Sequence, residues 1–134
     1  MAIPKSASGG NLAILLDTHT LVWAAKGDVR LSKAAGIAIA DADRLLVSAV
    51  TAWEYADLQQ RGRLPPEVRF ADVEAAFDLE LLDLPGSIWT LAGSLPHIHG
   101  DPVDRMLIAH AMIEEIAIVT ADETIRRYPV RTLW

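Results

Sequence analysis

The sequence predicts an α/β fold with a central, mainly parallel sheet flanked by helices. Two observations carry that expectation. Short apolar runs with no helical period recur at "NLAILL" (11–16), "RLLVSAV" (44–50) and "IAIVT" (116–120), as suits strands buried on both faces. Helical stretches separate them, and strands alternating with helices favour a parallel sheet joined by right-handed crossovers.

Each element has its own local reason. "HTLVWAA" follows the first run and reads as a helix. "LSKAAGIAIADA" (31–42) is Ala-rich, with Ser32 placed as N-cap. "TAWEYADLQQRGRL" (51–64) reads as a helix closed by Gly62, with Pro65 and Pro66 just beyond. "PEVRFADVEAAFDLE" predicts a further helix with Val68, Val73, Ala76 and Phe77 on its apolar side, and "LELLDLP" (79–85) a short edge strand. "SIWTLAGSLP" predicts a short helix stopped by Pro96. The clearest helix begins at Pro102, where Leu107, Ile108, Ala111 and Met112 share one face. "ADETIRRY" reads as a short helix and "VRTLW" as a last strand.

The 134 residues, 51% of them hydrophobic, amount to one domain with a core that needs no staples. The opening "MAIPKSASGG" (1–10) reads as a flexible N-terminal extension and 11–134 as a single domain. That opening lacks the apolar stretch of a secretory signal. No apolar run approaches the ~20 residues that span a bilayer. The absence of cysteine excludes disulfides and thiolate chemistry and fits a reducing compartment, so a cytoplasmic location is expected. The formal charge of −6 argues against binding nucleic acid through the overall field, though not against a nuclease whose acidic site a metal neutralises.

Four acids fall at the ends of elements. Asp17 follows the first strand, Glu54 lies one helical turn past the second, Asp104 sits in the first turn of the clearest helix, and Asp122 follows the third strand. Capping accounts for each singly: Thr51–Glu54 has the form of a capping box, and so has Asp101–Asp104 with Pro102 at N1. In an open parallel sheet, however, the carboxyl ends of the strands share one edge. Two carboxylates ~4 Å apart repel by about 4 kcal/mol at an effective dielectric of 20. Such a cluster calls for protons or cations, and Mg²⁺ or Mn²⁺ suits carboxylate oxygen. Asp101 reads as the helix cap, with support of Asp104 as a lesser role.

"LLDTHTLVW", "VSAVTAWEYADLQQRGRL", "LPHIHGDPVDRMLIAHA" and "AIVTADETIRRYPV", in that order, carry a resemblance to PIN-domain ribonucleases, specifically the VapC-type toxins of type II toxin–antitoxin systems. The resemblance covers roughly residues 12–134. It implies a PIN-like three-layer α/β/α sandwich and endonucleolytic hydrolysis of RNA by metal-activated water. Carried over residue by residue, the catalytic and metal-binding acids are Asp17, Glu54, Asp104 and Asp122, with Thr120 as a polar neighbour. Asp122 either ligates a second metal or acts through water. The family also implies a cognate antitoxin and a homodimer.

Arginine suits phosphate, and Arg105, Arg126 and Arg127 are the nominees for RNA contact. Trp23, Trp53 and Tyr55 are candidates to line a partner groove, with core packing the alternative for Trp53. His19, His97, His99 and His110 read as exposed-loop or structural histidines. His97 and His99 mimic a two-His metal motif but have no third His to join them.

Two rivals come from other classes. Asp17-Thr-His-Thr20 resembles the aspartate-nucleophile phosphatases only superficially, because Lys5, Lys26 and Lys33 all lie in the first quarter and none remains to neutralise phosphate. The other rival is a catalytically silent PIN fold that only binds a partner.

Overall fold

β1 (Ala13–Leu16), β2 (Arg44–Ser48), β3 (Glu80–Leu82), β4 (Ala117–Val119) and β5 (Thr132–Leu133) form one sheet in the order β3-β2-β1-β4-β5. Every neighbouring pair is parallel, with Leu15 of β1 opposite Leu46 of β2 and Ile118 of β4. This computed structural model describes residues 12–134, so the expected extension over 1–10 lies outside the described residues. Among the described residues six helices accompany the strands: α1 (Thr18–Lys26), α2 (Lys33–Asp41), α3 (Ala49–Gln60), α4 (Phe70–Ala76), α5 (Ile88–Ser94) and α6 (Pro102–Glu114).

Side-chain alternation along the strands divides the interior in two. Ile14 and Leu16 join Leu21 and Val22 of α1, Ile39 of α2, Tyr55 of α3 and Val73 of α4 in one core. Leu15 joins Ile88 and Ala92 of α5 and Leu107, Ile108 and Ala111 of α6 in the other. A sheet with a core on each face is the expected three-layer α/β/α sandwich. No helix among the described residues is long and apolar enough to cross a membrane.

Several boundaries differ from expectation, each for a local reason. The second strand stops at Ser48, whose hydroxyl caps α3 by accepting from the Val50 amide at 3.2 Å. Thr51 therefore lies inside the helix, not at its cap, and the capping box drawn through Thr51 and Glu54 does not form. The helix expected across residues 66–80 shrinks to α4. Val68 stays outside it because its carbonyl accepts from the Tyr55 hydroxyl at 2.7 Å and from Gln59 at 2.9 Å. "ADETIRRY" yields only a single 3-10 turn, Ile125–Arg127, before Pro129.

Arg105 is a correction of a different kind. It is nominated above for phosphate, yet it is buried, and its guanidinium donates to the carbonyls of Ala92 (2.7 Å), Leu95 (3.0 Å) and Pro96 (2.9 Å). The fork closes the end of α5 and grips the chain that follows. Tyr55 is also core, not groove, being 1% exposed.

His110 of α6 is fully buried, and its Nδ1 lies 2.8 Å from the Ser48 hydroxyl, joining α6 to the start of α3. Burial holds its pKa below the ordinary 6.5, while Glu114, 4.0 Å from Nε2, works weakly against that shift. The neutral ring is thus favoured in the fold, and unfolding takes up a proton once the pH falls below about 6.5. Stability is expected to be insensitive to His110 above pH 7 and to decline as the pH drops through the unfolded-state value. Urea denaturation of wild type and His110→Gln from pH 7.5 to 5.5 checks this, since the variant should lose that part of the slope. Arg105→Ala, which strands three carbonyls, is expected to cost about 3 kcal/mol in the same assay, and Arg105→Lys to recover little of it.

Candidate active site

β1 lies where the chain order reverses, with β2 on one side and β4 on the other, so a crevice opens at the carboxyl ends of these strands. Asp17 is the first residue beyond β1. Its Oδ1 accepts from the Thr20 amide at 2.9 Å, which makes it the cap of α1, and its Oδ2 accepts from the Thr120 hydroxyl. Thr20 in turn donates to the Val119 carbonyl at 2.8 Å. Asp17 is buried, and both of its oxygens face donors.

Glu54 occupies the second turn of α3. Because Ser48 has taken the cap, the Glu54 carboxylate is left to meet the hydroxyl of Thr18, the first residue of α1. The same freeing operates at α6. Asp101 caps that helix, accepting from the amides of Val103 at 2.8 Å and Asp104 at 3.2 Å. The Asp101 amide donates to His99 Nδ1 at 3.1 Å and not to Asp104. The Asp104 carboxylate therefore turns elsewhere, with Oδ2 placed 3.1 Å from His99 Nε2. Asp122 accepts from the Thr124 amide at 2.8 Å through Oδ1 and lies 2.9 Å from His99 Nε2 through Oδ2. Its own amide donates to Thr120 Oγ1 at 3.0 Å.

The four acids that the sequence nominates line one cleft of about 330 Å³, together with Thr18, His19, Trp23 and Asp101. A larger groove of about 480 Å³ is lined by Leu31, Ile39, Leu45 and Phe77, and among the described residues its ionisable lining groups are Asp43 and Asp78. Reactive groups converge in the smaller space.

Charge crowding is visible at Asp104. Burial pushes its pKa up to about 7, the negative charges of Asp101, Glu54 and Asp122 add to the rise, and His99 opposes it. At Asp122 burial also acts upward, but the hydrogen bonds from His99 and the Thr124 amide outweigh it and the pKa falls. His99, Asp104 and Asp122 each present an atom within 4.8 Å of the others, a spacing that can surround one cation. Four carboxylates in one cleft form a hard donor set that fits Mg²⁺ or Mn²⁺.

The remaining nominees fall differently. Thr120 bridges Asp17 and the Asp122 amide, as a polar neighbour would. Arg126 and Arg127 are exposed on the 3-10 turn and do not line the cleft. Trp23 does line it, with the His19 and Trp134 rings 5.9 and 5.7 Å away and the Arg30 guanidinium 5.1 Å over its ring. Trp53 is 59% exposed.

Sequence reasoning sets His99 aside as an exposed-loop or structural histidine and passes over Thr18. The signal for His99 is its place two residues before a capping aspartate, where a ring can reach back to the cap amide. Thr18 is signalled only by standing first in a helix that an acid caps.

Comparison with known proteins bears on the family and the fold. The PIN domain profile matches residues 14–130. Ribonuclease VapC22 of Mycobacterium tuberculosis (strain ATCC 25618 / H37Rv) is 32% identical over 128 residues, spanning 90% of this chain and 98% of that protein. Among solved structures, VapBC2 from Rickettsia felis, bound to a DNA fragment from their promoter, superposes with a TM-score of 0.58 at 16% identity over 90% of this chain and 97% of that one. PAE2754 from Pyrobaculum aerophilum gives 0.60 at 16% identity over 90% and 88%. Profile, relative and fold agree, and the chain belongs to the PIN-domain family, as a VapC-like member.

Proposed function

We propose that this chain is a divalent-metal-dependent endoribonuclease, acting as the toxin of a toxin–antitoxin pair. The observation that carries the reading is the convergence of Asp17, Glu54, Asp104 and Asp122 on one cleft at the switch point of the sheet. The likeness to a protein named as a ribonuclease supports the choice of RNA as substrate.

These four carboxylates would hold Mg²⁺ or Mn²⁺. The chemistry available once the cation is bound is charge neutralisation at a scissile phosphodiester and acidification of a water that displaces the leaving oxygen in line. The protein's part is preorganisation. Thr20 and Thr120 hold the Asp17 carboxylate, and Thr18 holds Glu54, so neither must reorient when substrate arrives. Burial and the charges of Asp101, Glu54 and Asp122 push the pKa of Asp104 up to about 7, and a bound cation would offset both effects.

The partner is a cognate antitoxin, and the chain forms a homodimer. A net charge of −6 favours an antitoxin segment of positive charge at the cleft mouth. Exposed Arg126 and Arg127, on the turn after Asp122, are retained as weak RNA contacts.

Purified protein with Mg²⁺ is expected to cut a mixed cellular RNA pool at discrete places. EDTA, or the variant Asp104→Asn with an unchanged circular dichroism spectrum, should lower the rate at least about 100-fold. Folded wild type that binds Mn²⁺ yet leaves all RNA intact would favour the silent binding module instead. A second expectation concerns charge: Arg126→Ala/Arg127→Ala should weaken RNA binding about equally for all sequences and flatten its salt dependence, which filter binding at several salt concentrations measures.

A further inference from the structure

His99, which contacts the cleft acids Asp104 and Asp122, has different partners on its two nitrogens, and their polarity decides what the ring can do. The Asp101 backbone N–H lies 3.1 Å from Nδ1. A backbone amide can only donate, so Nδ1 accepts and carries no hydrogen. The neutral ring then has its hydrogen on Nε2, where it meets Asp122 Oδ2 at 2.9 Å with Asp104 Oδ2 at 3.1 Å. Metal-ligating histidines show the opposite arrangement, in which the nitrogen away from the metal donates to a carbonyl, carboxylate or water. Here that nitrogen faces another donor. Ligation through Nε2 would demand either a fully deprotonated ring or the loss of the Asp101 contact.

We infer that His99 is a positioning residue: it is a tautomer-locked hydrogen-bond donor that gathers the Asp104 and Asp122 carboxylates and stays outside the set of metal ligands. This inference rests on the metal-site reading above. It leaves the cation an all-oxygen environment of carboxylates and water, even though the imidazole lies within 4.8 Å of two acids.

The support of the ring has its own structure. The Tyr128 hydroxyl accepts from the amides of Ile98 at 3.1 Å and His99 at 2.7 Å, and donates to the Pro96 carbonyl at 2.7 Å. Arg105 binds that same carbonyl at 2.9 Å. Both side chains are buried. The segment that presents His99 is therefore clamped from beneath, and Arg105 serves the site through this clamp without facing substrate.

Three measurements test the inference. In metal-free wild type labelled with ¹⁵N-histidine, two-bond ¹H–¹⁵N correlation should show an Nε2–H tautomer at a signal that disappears in His99→Gln. A hydrogen on Nδ1 would overturn the lock, and this reading needs no metal. In Mn²⁺-loaded wild type, pulsed electron paramagnetic resonance should show no coupling from a directly bound ¹⁴N. Coupling that vanishes in His99→Gln would overturn exclusion from the ligand set. Mn²⁺ affinity by calorimetry should fall about 10–100-fold in His99→Leu and return close to wild type in His99→Gln, whose amide still donates. Equal binding by Leu and wild type would overturn the positioning role. Wild type that binds no Mn²⁺ at all would overturn the metal-site reading itself, a result separate from the tautomer.

Discussion

Repulsion among like charges is the constraint around which this molecule is arranged. Parallel strands put the carboxyl ends of β1 and β4 side by side, and the loops and helices that follow bring four acids to one cleft. Each carboxylate needs a reason to stay. Asp17 has an amide and a hydroxyl, Glu54 a hydroxyl, and Asp122 an amide and an imidazole. Asp104 faces only the shared imidazole, and burial, with the neighbouring negative charges, pushes its pKa up to about 7.

Helix capping explains how the acids come to be available. Near Glu54 and near Asp104 a neighbouring residue performs the cap in their place: Ser48 for α3 and Asp101 for α6. Asp17 does both at once, one oxygen capping α1 and the other meeting Thr120. Capping and the proposed metal binding are therefore not rival explanations of these acids. The first supplies the rigid geometry that the second requires.

Much of this was legible from residue order. Strand runs with no helical period located the sheet, and acids at their ends located the cleft, because parallel topology forces those ends together. Asp101 was readable as a cap because Pro102 follows it. What stayed hidden depended on contacts between distant segments. Arg105 adjoins Asp104 in sequence, but successive helical residues face different ways, and its side chain runs under the 92–96 segment and away from the cleft. His99 looked like a loop histidine since its partners lie both beside it, at Asp101, and 23 residues on, at Asp122. The Thr51 box failed because Ser48, three residues earlier, was an equally good cap and the strand ended sooner.

Trp134, the final residue, packs its ring against Trp23 of α1, and Thr120 reaches Asp17 across 103 residues. The order of synthesis acquires a meaning from these contacts. A chain emerging from the ribosome presents Asp17 and Glu54 long before Asp104 and Asp122, and β4, which separates β1 from the outer edge, follows Asp104. Contacts of such long range form late in folding. The early part of the chain therefore carries Asp17 and Glu54 with Thr20 and Thr18 beside them, but the Thr120 hydroxyl that meets the second Asp17 oxygen, and the other two acids, join them only when β4 enters the sheet.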